Sequence, residues 1–124
     1  MKIAIIGSGY VGLVTGTCFA DLGNHVTCID NNTAKINQLK ENSIPFYEPG
    51  LQEKVTQNQT SGRLSFQDQL TTQILENQII FIAVSTPAKP NGDADISQVL
   101  SVINSLTNLL KKQPNCPLKT LVIK

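Results

Sequence analysis

The sequence is poor in the residues that build metal sites, disulfide frameworks and charged docking faces. It has one histidine, His25, and three cysteines, Cys18, Cys28 and Cys116, at irregular spacing and with no C-x-x-C pair. Such a set supplies neither a zinc constellation nor paired bridges, so no metal is expected, and reduced thiols of this kind suit a cytoplasmic protein. Neither sign of charge dominates. Ten Lys and Arg stand against nine Asp and Glu, the net charge is +1, and the basic residues are dispersed. That excludes the electrostatic footprint of a nucleic-acid or anionic-lipid binder. Long hydrophobic runs are missing as well. The opening run Ile3-Ala4-Ile5-Ile6 meets Gly7 at once. It is too short for the core of a secretory signal, and no stretch approaches the roughly 18 apolar residues of a membrane span. What remains is a chain of 124 residues, 40% hydrophobic and 15% charged, enough for one globular domain that buries a core without metals or disulfides.

Apolar runs and helical periodicities alternate along that chain. Ile3 to Ile6 is a continuous β-prone run, the pattern of a strand buried on both faces. Gly7-Ser8-Gly9 breaks it, and from Tyr10 to about Leu22 the spacing turns helical, with Val11, Val14, Cys18 and Leu22 as the apolar positions and Gly23-Asn24 as the stop. His25 to Ile29 is a second strand ending at Asp30. Asn31 or Asn32 caps a helix to about Glu41 that carries Ile36 and Leu39. A Pro- and Gly-containing loop (42–50) leads to a short polar helix at Leu51 to Gln59. A strand at Arg63 to Phe66, a short helix over 68–77 and a strong strand at Gln78 to Val84 follow. Residues 85–95 form a loop. Ser97 to Lys112 is a helix with Val99, Leu100, Ile103, Leu106 and Leu110 on one face, and a last strand opens at Leu118 and runs to Lys124. Strands alternating with helices predict an α/β fold, a doubly wound parallel sheet of Rossmann type. The sequence stops within an apolar strand, from which we expect residues 1–124 to be part of a longer protein.

The glycines carry the chemistry. Gly7-Ser8-Gly9-Tyr10-Val11-Gly12 lies between a buried strand and a helix, the context in which G-x-G-x-x-G signals a dinucleotide. Gly7 allows the turn off the strand, Gly9 lets a pyrophosphate approach the main chain, and Gly12 lets the helix lie close. Gly16, one turn on, extends that packing. The helix start offers free N–H groups and a partial positive charge to phosphates. Asp30, at the end of the second strand and 18 residues past Gly12, is placed to accept hydrogen bonds from both hydroxyls of an adenosine ribose. It would also repel a 2′-phosphate, so the expected cofactor is NAD rather than NADP. Lys35, one helical turn on, is within reach of the ribose or adenine. His25 opens its strand away from the cofactor and reads as structural. Cys18 and Cys28 read as core thiols, and Cys116, between two prolines, as an exposed one.

Three segments, GSGYVGL (Gly7 to Leu13), IPFYEPGL (Ile44 to Leu51) and VSTPAKPNGDADIS (Val84 to Ser97), together resemble the UDP-glucose and GDP-mannose dehydrogenases. The closing LVIK resembles the strand before an S-T-V-P segment of that family. The resemblance implies that residues Gly7, Gly9, Tyr10, Val11 and Gly12 hold the pyrophosphate of NAD, Asp30 the ribose with help from Lys35, and Val84, Thr86 and Pro87 the cofactor at the sheet's carboxyl edge. It implies that residues 1–124 are the N-terminal NAD-binding domain, with the central helix and nucleotide-sugar domain lying elsewhere. The family oxidises the 6-hydroxymethyl group of a nucleotide sugar to a carboxylate with two NAD per turnover, through a cysteine thiolate in a later glycine-rich motif. None of the three cysteines here lies in such a motif, so no catalytic residue is expected in this chain. UDP-glucose is the expected substrate, with the protein a homodimer or higher homo-oligomer.

Alternatives differ in class. F-Y-E-P-G-L is closer to the UDP-glucose enzymes and A-K-P-N-G-D-A-D to the GDP-mannose pattern, with UDP-N-acetylhexosamine a third substrate class. Tyr47-Glu48-Pro49-Gly50 is either a rigid surface turn or part of the sugar side of the cleft. A non-catalytic NAD-sensing module, or a flavin or S-adenosylmethionine site, uses the same fold. The Y-E-P-G-L and T-P motifs argue against these.

Overall fold

The computed structural model describes residues 1–117 and 119–124. Among the described residues, five strands, β1 (Lys2–Ile6), β2 (His25–Ile29), β3 (Leu64–Gln67), β4 (Ile79–Ile82) and β5 (Thr120–Ile123), form one parallel sheet in the order β3-β2-β1-β4-β5. The helices are α1 (Tyr10–Asp21), α2 (Thr33–Lys40), α3 (Leu51–Thr60) and α4 (Ser97–Lys112), with a 3₁₀ turn at Thr72–Glu76. The expected doubly wound fold is present. Leu118, where the sequence places the start of the last strand, lies outside the described residues.

Period-two geometry explains why β1 is apolar throughout. Ile3 and Ile5 enter a core beneath α1, α2 and α3, together with Leu13, Val26, Cys28, Ile36, Leu39, Val55 and Phe66. Ala4 and Ile6 enter a second core on the other face, with Ile29, Ile74, Ile80, Ile82, Val99 and Leu106. A central strand of a doubly wound sheet has no solvent face, so no polar alternation survives in it. Asn32 is the cap of α2, its side chain accepting the Lys35 N–H at 3.0 Å. Gly23, at φ +91°, follows α1 in the conformation that L side chains rarely adopt.

Several sequence-based expectations need correction. α1 does not bury Val11, Cys18 and Leu22; all three are exposed. Its buried residues are Gly12, Leu13, Gly16, Thr17 and Ala20. The helix packs through small residues at short range, so its largest apolar side chains are poor guides to its inner face. A Cβ on Gly16 would stand 2.7 Å from Cys28 Sγ and 3.1 Å from Ile5 Cδ1, which shows how little space separates helix and sheet. Cys18 is therefore not a core thiol. Cys28 is one, and burial pushes its thiol up to about 12. Cys116 is half-buried against the second core, not simply exposed. On α4, whose bounds agree with the sequence pattern, Leu100 and Leu110 are exposed, and Val102 and Leu109 join Val99, Ile103 and Leu106 on the packed side. The 85–95 loop closes on itself as a small hairpin, with an antiparallel bridge between Ala88 and Ala94 and a turn in which Gly92, at φ +89°, donates to the Lys89 carbonyl.

Candidate functional site

The connections reverse direction across the sheet. The chain moves outward from β1 to β2 and β3, then returns so that β4 pairs with the other side of β1. The loops leaving the carboxyl ends of β1 and β4 therefore diverge, and a crevice opens between them, as open α/β sheets require at such a switch point. Here it is a cleft of about 960 Å³, floored by Ile6, Gly7 and Gly9 and walled by Asp30–Asn32 on one side and Ala83–Thr86 on the other.

Each glycine of Gly7-Ser8-Gly9-Tyr10-Val11-Gly12 has a distinct physical reason. Gly7 adopts φ +101°, and a Cβ there would stand 2.5 Å from the Ala83 carbonyl oxygen. A Cβ on Gly12 would stand 1.8 Å from the Gly7 carbonyl oxygen. These two serve packing. A Cβ on Gly9 would meet nothing within 4 Å; the space above it belongs to the cleft. Gly9 is the N-cap of α1 and gives no side-chain cap, and no acidic residue stands in the helix's first turn. The first N–H groups and the positive end of the helix dipole thus face the cleft uncompensated, the arrangement that receives phosphate. Tyr10 and Val11 line the same opening.

Asp30 closes the site on the β2 side. Its Oδ2 accepts the Ser8 N–H and the Ser8 hydroxyl, both at 2.9 Å, and the Lys35 ammonium at 2.7 Å. Its Oδ1 accepts the Asn32 N–H at 3.0 Å. Burial by itself would push this carboxyl up, but the donors Lys35, Asn32 and Ser8 outweigh it and hold the group below its ordinary value. Asp30 is therefore a fixed anion at neutral pH. Lys35 is half-buried and faces the cleft from α2.

Across the cleft, Val84, Ser85 and Thr86 follow β4 and line the wall. Pro87 stands just beyond that wall, and its carbonyl accepts the Asp95 N–H at 2.8 Å at the base of the hairpin. The loop 42–50 also reaches the site. Phe46 packs on Tyr10 with ring centroids 5.1 Å apart, and the Tyr10 hydroxyl donates to Glu48. That carboxylate pushes the Tyr10 phenol up. Glu48 so joins the start of α1 to the turn before α3, while Tyr47 is exposed. His25 is exposed at the opposite end of β2. Sequence reasoning missed Ser8, fully buried beneath the corner, because it occupies a variable position of the glycine motif. It also missed Asp68, Gln98, Ser101 and Ser105, which line the cleft and belong to no short motif.

Open main chain at the first crossover, an uncapped helix aimed into a switch-point cleft and a fixed anion at the next strand's end define a dinucleotide-binding domain of Rossmann type. The family model for the NAD-binding domain of the UDP-glucose/GDP-mannose dehydrogenase family matches residues 1–124, and the chain belongs to that family. It is 48% identical over 107 residues to a UDP-glucose 6-dehydrogenase of Rhizobium meliloti, an alignment covering 86% of this chain and 24% of that protein. Among solved structures it is similar to a ternary complex of GDP-mannose dehydrogenase from Pseudomonas aeruginosa, with TM-score 0.92, 32% identity, and 99% of this chain and 28% of that one covered. A UDP-glucose dehydrogenase from Pyrobaculum islandicum gives TM-score 0.89 at 31% identity, covering 99% of this chain and 28% of that one. The chain spans about a quarter of the length of the curated relatives it matches. Among the described residues, no helix is long and apolar enough to cross a membrane.

Proposed function

We propose that the cleft holds NAD in an extended pose. The pyrophosphate lies over Gly9 on the N–H groups of Tyr10, Val11 and Gly12, the adenosine ribose lies at Asp30 and Lys35, and the remainder runs along Val84, Thr86 and Pro87. The observation that carries this reading is the empty space above Gly9, bounded by an uncapped helix start and by the ionised Asp30. Gly7 and Gly12 shape the turn that presents these N–H groups, because a side chain at either position would strike main chain. When bound, NAD accepts a hydride from the substrate. This chain's residues bind it, orient it and, through the Asp30 charge, disfavour a 2′-phosphate. Calorimetry on the chain is expected to give NAD binding that outranks NADP, FAD and S-adenosylmethionine. Asp30→Ala is expected to lose roughly tenfold or more in NAD affinity, and about 1–3 kcal/mol of stability because the buried Ser8 hydroxyl loses its acceptor. Unchanged affinity in that variant would remove the ribose from this corner.

For the whole protein we propose oxidation of UDP-glucose to UDP-glucuronate with two NAD per turnover. The catalytic groups are contributed outside residues 1–124, in a homo-oligomer working in the cytoplasm. The 48% identity to a UDP-glucose 6-dehydrogenase supports this substrate over GDP-mannose. The test is NADH formation by the full-length protein with UDP-glucose, GDP-mannose and UDP-N-acetylmannosamine. We expect UDP-glucose to give the highest kcat/KM; a preference for either of the others would overturn the substrate while leaving the NAD site intact.

A further inference from the structure

The two oxygens of Asp30 are not equivalent, and the difference has a single origin. A carboxylate offers about four lone-pair positions, two on each oxygen. Oδ2 already receives three donors: the Ser8 N–H, the Ser8 hydroxyl and the Lys35 ammonium. Oδ1 receives one, the Asn32 N–H. The acceptor capacity left for a ligand is therefore on Oδ1. Ser8 supplies two of the three donors that fill Oδ2. It is fully buried, and its hydroxyl is not part of any helix cap or strand ladder. Lys35 has spent one ammonium donor on Oδ2 and keeps two.

We infer that Ser8 is a positioning and specificity-determining residue, which locks Asp30 Oδ2 so that the carboxylate offers Oδ1 alone to the adenosine ribose of the cofactor. This rests on the reading of the corner as an NAD site and refines it. The ribose diol is divided rather than gripped by both carboxylate oxygens. One hydroxyl donates to Oδ1, and the other accepts from Lys35. The lock also discriminates. A carboxylate held from behind by the Ser8 N–H and hydroxyl cannot swing aside to admit a 2′-phosphate toward Lys35, the cation paired with it. Without the Ser8 hydroxyl the carboxylate gains freedom to rotate, and rejection of NADP weakens.

Two substitutions test this. Ser8→Ala removes the hydroxyl, and Ser8→Cys keeps a side chain of the same branching, with a larger terminal atom, but replaces a strong donor with a weak one. Kd values for NAD and NADP would be measured on the chain as a function of pH, with circular dichroism to follow the fold. In both variants we expect NAD to bind about tenfold more weakly, with NADP weakened less, so that the preference for NAD narrows. The acid limb of NAD binding should also move up by about half a pH unit or more, because the ionised carboxylate has lost a donor that favoured it. A merely packed Ser8 would leave that limb and the NAD/NADP ratio in place in both variants. NAD binding by the unsubstituted chain, with Ser8→Cys unchanged in affinity, NAD/NADP ratio and acid limb, would overturn the lock and leave the NAD site standing. Failure of the unsubstituted chain to bind NAD would overturn both.

Discussion

Gly9→Val is expected to abolish measurable NAD binding in a chain that still folds. The backbone at Gly9 is φ −71°, ψ −171°, an extended conformation open to any residue, and a Cβ there meets no atom of the protein within 4 Å. Nothing in the fold opposes the side chain. Valine is a poor N-cap, so the loss of stability is about 1 kcal/mol or less. The ligand meets a different surface. The valine methyls fill the space in which a pyrophosphate approaches the main chain and keep it from the first N–H groups of α1. Losing two hydrogen bonds to a charged group amounts to about 3 kcal/mol or more, or roughly 100-fold in Kd. Calorimetry paired with thermal melting checks both halves. A valine variant that binds NAD as the parent does would show that the diphosphate lies elsewhere.

Gly12→Ala should give the opposite result: a chain that fails in folding before binding is at issue. The added methyl would stand 1.8 Å from the Gly7 carbonyl oxygen and 3.4 Å from Ile5 Cγ2. The first of these is backbone, and Gly7 has little room to yield. It already sits at φ +101°, with the Ala83 carbonyl 2.5 Å from where its own Cβ would be. Relief requires α1 to lift from β1, which disturbs the contact of Leu13 and Gly16 with the first core. Overpacking against rigid backbone costs about 3 kcal/mol or more, which corresponds to a fall in Tm of roughly 10 °C or more in a chain of this size. A melt within a degree or two of the parent would mean that the helix stands further from the strand than this structure has it. The two substitutions involve glycines three residues apart in one motif and separate its binding role from its packing role.

The motif in its strand–helix context already implies that division, and the distances give it its scale. G-x-G-x-x-G is legible as letters, and so are the buried run before it, the acid at the end of β2 and the bounds of α4, because each is a local pattern of apolar spacing or turn chemistry. The inner face of α1 was not legible. A helix that buries Gly12, Gly16 and Ala20 has no large apolar stripe, so spacing pointed to Val11, Cys18 and Leu22, which are exposed. Val11 and Tyr10 face the cleft instead of the core. Ser8 was invisible for a related reason. Its role depends on Asp30, 22 residues away, and no local rule links a variable motif position to a distant carboxylate.

The sequence by itself determined the α/β class, the glycine corner, the anion at the end of the second strand and the family, because these follow from local periodicity, turn requirements and motif order. Only the tertiary structure decided which residues of α1 face inward, that β4 rather than β3 lies beside β1, and that Ser8 and Lys35 share one oxygen of Asp30. Those outcomes depend on which distant segments meet across the sheet. That meeting is governed by the burial of two separate cores on its two faces, which neighbouring letters do not encode.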